Sequence, residues 1–208
     1  MGKLYKDVAG RDIGRLNALS DGIFAFAMTL LVLDLRVPDL KGITTETDLL
    51  NALAPVAPHL ITSSLTFLTL GIFWVGQSTH LSLLKNVDRN ITWIHIAFLF
   101  AVVLEPFSTA LLATFINFRI AIVEYWLNIL VLGALLLASY KYAYYAKLMI
   151  DETPLGLDAV ERRIFIAQAL YFLGMLLCLV NTALSVGFIF LVQLNYAIAP
   201  RLKWLYRL

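Results

Sequence analysis

From Ile164 to Ala199 the chain carries no charged side chain over 36 residues. As one helix this tract would be about 54 Å long, against a bilayer hydrocarbon core of about 30 Å. A lipid-embedded backbone must satisfy its own hydrogen bonds, so the tract is helical. It is too long for one crossing and long enough for two short ones. Asn181-Thr182, the most polar point near its middle, is where a turn is expected.

Four more apolar tracts precede it. Their expected spans are Asn17 to Leu35, Leu60 to Leu84, Ile91 to Phe115 and Ile120 to about Tyr140. The fourth runs on into Tyr142, Tyr144 and Tyr145, the residue type enriched at membrane interfaces. Hydrophobic residues make up 61% of the 208-residue chain and charged residues 14%. Soluble domains average about 45–50% and about 25%, so a soluble enzyme and a disordered chain are both excluded. The expected fold is all-α and integral to the membrane, with six transmembrane helices filling 1–208 as a single domain. The N-terminus has the basic flank and apolar run of a signal peptide. Asp34 and Arg36 follow instead of a small-residue cleavage site, so the first helix is expected to be retained. Between the first two spans, Thr44 to Ala54 fits a short surface helix with Thr44 as its cap.

Net charge is +2, and the basic residues sit in the linkers. That distribution offers no nucleic-acid groove. With the N-terminus in the cytoplasm, thirteen of the sixteen Lys and Arg residues fall inside, and only Arg36, Lys41 and Arg119 fall outside. By the positive-inside rule both termini are expected to be cytoplasmic. A single cysteine, Cys178, excludes an internal disulfide framework. His59, His80 and His95 share no metal-like spacing and are expected to pack near span ends. No TVGYG-type filter loop, arginine-repeat helix, GxSxG, HExxH, CxxC or phosphate-binding loop is present, so neither a carbonyl filter nor enzyme chemistry is available.

The first helix carries the most information. Asp21 lies within it, and a carboxylate in a span costs up to about 2.5–3.5 kcal/mol, so partners on other helices are expected. Ile23, Phe26, Leu30 and Leu33 form a bulky seam at 3-4-3 spacing, while Ala18, Gly22, Ala25 and Thr29 form a stripe of small residues that permits close helix approach. Periodicity alone leaves open whether the seam lines a conduit or packs a dry core, and favours the core. Glu105, beside Pro106, is expected to be a buried carboxyl, either kept protonated or bonded to the backbone group that the proline frees. Alternatively, Asp21, Glu105 and Glu124 form a relay.

Arg15-x-x-x-Leu19-Ser20-Asp21, followed by Gly-Ile-Phe-Ala-Phe-Ala-Met-Thr-Leu-Leu-Val-Leu-Asp, resembles the first helix of the transmembrane protein 175 family, whose signature is R-x-x-x-F-S-D. Leu19 stands where that family has Phe. The stretch from Leu104 to Leu112 resembles the family's L-P-F-x-T-A-L-L run, and Gly71-Ile72-Phe73-Trp74 resembles its second helix. The resemblance implies a homotetramer of six-helix subunits with the first helix lining a central pore. It further implies a constriction at Phe26, Leu30 and Leu33, a contribution to potassium preference from Thr29, and a structural polar network of Arg15, Ser20, Asp21 and Trp74. Phe26 departs from the usual Ile or Leu. The implied activity is a potassium-selective leak channel of the bacterial plasma membrane. It needs no cofactor beyond the permeant potassium ion and no partner beyond further copies of itself and the lipid bilayer. Proton or mixed-cation conduction through the intramembrane carboxylates is the alternative.

Overall fold

The computed structural model describes residues 12–37, 42–150 and 156–198. The basic residues Lys3, Lys6, Arg11, Lys41, Arg201, Lys203 and Arg207, which carry much of the orientation argument, lie outside the described residues. Among the described residues there are seven α-helices: α1 (Ile13–Leu33), α2 (Glu46–Leu53), α3 (Ala57–Ser82), α4 (Arg89–Thr114), α5 (Arg119–Tyr145), α6 (Leu157–Leu176) and α7 (Thr182–Ile198). All but α2 are membrane crossings. Among the described residues five apolar segments have the length and hydropathy of a span. The 17-residue α7 is shorter, about 25 Å, and reaches across as the second arm of a hairpin with α6. The chain is thus a multi-pass membrane protein of six crossing helices.

Local chemistry sets the helix ends. Asp12 caps α1 by accepting from the Arg15 N–H at 3.1 Å. Asp88 caps α4 by accepting from the Ile91 N–H at 2.9 Å. At α2 the cap is Thr45, not Thr44. Thr45 accepts from the Asp48 N–H, while the Asp48 carboxylate accepts from the Thr45 N–H, a reciprocal capping box. The break in the long uncharged tract falls at Asn181, whose Oδ1 accepts from the Ala183 and Leu184 N–H groups at 2.8 and 3.2 Å. Helix α6 begins seven residues before Ile164, inside the charged linker. There Leu157 and Val160 pack on a second apolar cluster, and Glu161 pairs with Lys141 of α5 at 2.7 Å.

The α6–α7 hairpin closes on Gly174. A side-chain carbon there would lie 2.6 Å from Ile189, and Ser185 donates to the Gly174 carbonyl at 2.6 Å. A small residue is therefore what lets the two backbones approach. The main core gathers residues from α1 and from α3 to α7 around Phe24, Leu65, Phe98, Tyr125, Ile129 and Ile189. At one end, the Lys85 N–H donates to the Leu148 carbonyl and the Ile150 N–H to the Leu83 carbonyl, tying the α3–α4 link to the segment after α5. Helix α1 rests on α4 and α3.

Candidate functional site: the outward face of the first helix

Burial divides α1 in two. Leu16, Ser20, Phe24, Ala27 and Leu31 are buried, at 4-4-3-4 spacing. Phe24 meets Phe98 with ring centroids 6.1 Å apart. The opposite side is uncovered. Phe26 and Leu33 are 63% and 69% exposed, Thr29 is exposed, and Leu30 is half-buried. Ile23 is half-buried against the core, so the four-residue seam does not act as one surface. Its first member turns inward, and Phe26 and Leu33 turn out. The small-residue stripe lies on the open side, and nothing stands within 4 Å of a side-chain carbon built at Gly22.

The polar groups of this helix fall into separate sets. On the open side, Asp21 Oδ1 accepts from Trp74 Nε1 at 2.9 Å, joining α1 to α3. Thr29 donates its hydroxyl proton to the Phe26 carbonyl at 2.8 Å. Its oxygen therefore keeps lone pairs, and no proton, for anything outside the helix. On the buried side, Ser20 Oγ donates to the Leu16 carbonyl, lies 2.6 Å from His95 Nε2 of α4 and accepts from Gln77 Nε2 of α3 at 3.3 Å. Arg15 joins neither set. Its backbone N–H takes the Asp12 cap, and its exposed side chain has no hydrogen bond or ion pair among the described residues.

Gln77 is not singled out by the sequence, and His95 only as a histidine packing near a span end. The signal available was that a serine, a glutamine and a histidine inside three spans each need a partner. The histidines are more than interfacial packing. His95 and His80 are buried, with His80 Nε2 3.0 Å from the Ser139 hydroxyl. His59 Nδ1 lies 2.8 Å from Asp34 Oδ2, at the far end of α1. No group of three His, Cys, Asp or Glu residues that could hold a metal occurs among the described residues. Glu105 is fully buried, and neither carboxyl oxygen has a hydrogen-bond partner, so it does not bond the carbonyl left free by Pro106. Glu124 accepts from the Ser108 hydroxyl at 2.9 Å and interacts electrostatically with Glu105. Asp21 is not part of that pair; its hydrogen bond is to Trp74.

Relatives with the same architecture are known. The model of the family described as endosomal/lysosomal potassium channel TMEM175 matches residues 15–106. A potassium channel of Chamaesiphon minutus is 28% identical over 192 residues, covering 90% of this chain and 94% of the relative. One of Streptomyces collinus is 36% identical over 104 residues, 50% of this chain and 49% of the relative. The crystal structure of a lysosomal potassium-selective channel TMEM175 homolog from Chamaesiphon minutus matches with a TM-score of 0.76 at 26% identity, covering 90% of this chain and 97% of that one. The sequence motif, the six crossing helices and these matches agree in likening the chain to the TMEM175 potassium channels and, over most of its length, to their bacterial homolog.

Proposed function

We propose that this chain is the subunit of a potassium-selective leak channel in the bacterial plasma membrane, a homotetramer whose central pore is lined by the outward face of α1. The observation that carries this reading is the make-up of that face. Asp21 and Thr29 share it with Phe26 and Leu33, and all four are exposed from their own subunit. A carboxylate and a hydroxyl are costly against lipid and well tolerated beside water. A fourfold arrangement around a water-filled axis satisfies both, while the small-residue stripe lets neighbouring helices come close. The relatives described as potassium channels support the choice of ion.

In this reading Phe26, Leu30 and Leu33 form apolar rings that oppose permeation by dewetting. Thr29 sits among them with its lone pairs turned outward, so four hydroxyl oxygens replace part of an ion's water. Potassium holds its water less tightly than sodium and loses less on entering. The Asp21–Trp74 bond and the buried Ser20–His95–Gln77 set are structural and hold the pore helix to α3 and α4. Arg15, at the end of the open face, is available to a neighbouring subunit. The whole chain, 1–208, acts as one channel domain with both termini cytoplasmic. The carboxylate relay finds no continuity here, because Asp21 and the Glu105–Glu124 pair belong to different sets.

A Thr29→Cys variant on a Cys178→Ala background tests the pore face. Cys178 is buried, and its removal leaves one reactive thiol. The expected result is modification by a water-soluble thiosulfonate and a loss of potassium flux. A thiol that stays unreactive in water while the protein is assembled contradicts the pore assignment.

A further inference from the structure

Glu105 lies well inside the 26-residue α4 and is fully buried. Neither of its carboxyl oxygens has a hydrogen-bond partner among the described residues. The hydroxyls around it are engaged elsewhere. Thr109 donates to the Glu105 backbone carbonyl at 2.7 Å, and the Tyr125 hydroxyl lies 2.9 Å from that of Thr69. The titratable groups that interact with Glu105 electrostatically are Glu124 and Tyr125 of α5 and Tyr171 of α6. None of the three is a cation. Helices α3 and α7 bring Thr66, Thr69 and Gln193 to the Tyr125 hydroxyl, all uncharged. Helix α1 meets α4 through Ser20 and Phe24, which are uncharged too. An ionised carboxylate held there has no water, no donor and no counter-charge, and a group so placed is neutralised instead.

Glu124 is placed differently. It is half-buried, and its Oε1 accepts from the Ser108 hydroxyl at 2.9 Å. Asn128 Nδ2 donates in turn to the Ser108 oxygen at 3.3 Å. Two hydrogen bonds thus point in series at Glu124, an arrangement that suits an anion. Two carboxyls that interact electrostatically resist ionising together. One proton for the pair resolves the conflict, and the surroundings decide which group holds it.

We propose that Glu105 and Glu124 form a carboxyl pair that binds one proton inside each subunit, with Glu105 as the un-ionised acid and Glu124 as the anion. A metal ion does not fit the site. Two carboxyls supply too few ligands, and no group of three His, Cys, Asp or Glu residues that could hold a metal occurs among the described residues. The pair lies apart from the outward face of α1, where Asp21 bonds Trp74. The inference rests on the membrane-spanning fold and is independent of the ion-conduction reading.

Infrared spectroscopy of the full chain in a maltoside detergent at neutral pH is the test. An un-ionised carboxylic acid has a carbonyl stretch that carboxylates and amides lack, and this detergent has no ester to mask it. The wild type is expected to show that band, and Glu105→Gln to lose it. Glu124→Gln is expected to keep the band at a shifted frequency, because the neighbouring charge is gone. Glutamine has nearly the shape of the un-ionised acid, so Glu105→Gln is expected to unfold at the wild-type temperature. A wild type without the band, or a band that survives Glu105→Gln, overturns the proposal. So does a band that Glu124→Gln abolishes or leaves unshifted. A Glu105→Gln protein that no longer folds overturns it as well, since the charged form of Glu105 would then be the one the fold requires.

Discussion

A Phe26→Ala channel leaks. Four phenyl rings at one level of a narrow pore exclude water, and their removal widens and wets that level. A barrier lowered by only about 1.4 kcal/mol raises flux about ten-fold. Sodium should gain more than potassium, because the wider waist strips less water from either ion. Phe26 is 63% exposed from its subunit, so its truncation leaves no cavity in the fold, and the expected stability change within the subunit is about 0.5 kcal/mol or less. Liposome flux and thermal unfolding on the same preparation check both halves. Background flux with a large loss of stability would mean that Phe26 is packed in a dry interface.

Phe24→Ala has the opposite expected signature. Phe24 lies two residues away, turned about 200° around the helix, and is buried against Phe98. Its truncation opens a cavity in the main core at a cost of about 3–5 kcal/mol. For a chain of this size that lowers the unfolding temperature by about 6–20 °C. The protein that remains folded should keep the wild-type preference between potassium and sodium. A Phe24→Ala protein of normal stability with altered selectivity would show that the inner and outer faces of α1 have been exchanged in this description.

The contrast between these two residues marks where the sequence is readable and where it is not. Apolar tract lengths and polar linkers define all six crossings, and Asn181 marks the α6–α7 turn because an amide in an apolar tract is free to cap the next helix. Periodicity does not say which side of α1 faces the core. In a soluble helix the polar side identifies itself, but in a membrane both sides are apolar, and Phe24 and Phe26 look alike. The seam through Ile23, Phe26, Leu30 and Leu33 has regular spacing and still divides between core and surface. The Ser20–His95 contact joins residues 75 apart in the chain and depends on how α4 lies against α1. The expected Thr44 cap gives way to Thr45 because Asp48 stands three residues after Thr45 and completes a capping box. The early start of α6 was hidden, because its first two turns combine the charges of a linker with a packed Leu157 and Val160.

The most direct measurement is the flux of each ion through the unmodified protein. Purified chain is reconstituted into liposomes loaded with potassium or with sodium, and the decay of each gradient is followed under a matched membrane potential. The potassium gradient is expected to dissipate clearly faster than the sodium gradient, and both faster than in empty liposomes. Equal rates for the two ions, or rates no greater than those of protein-free liposomes, would contradict a potassium-selective pore lined by the outward face of the first helix.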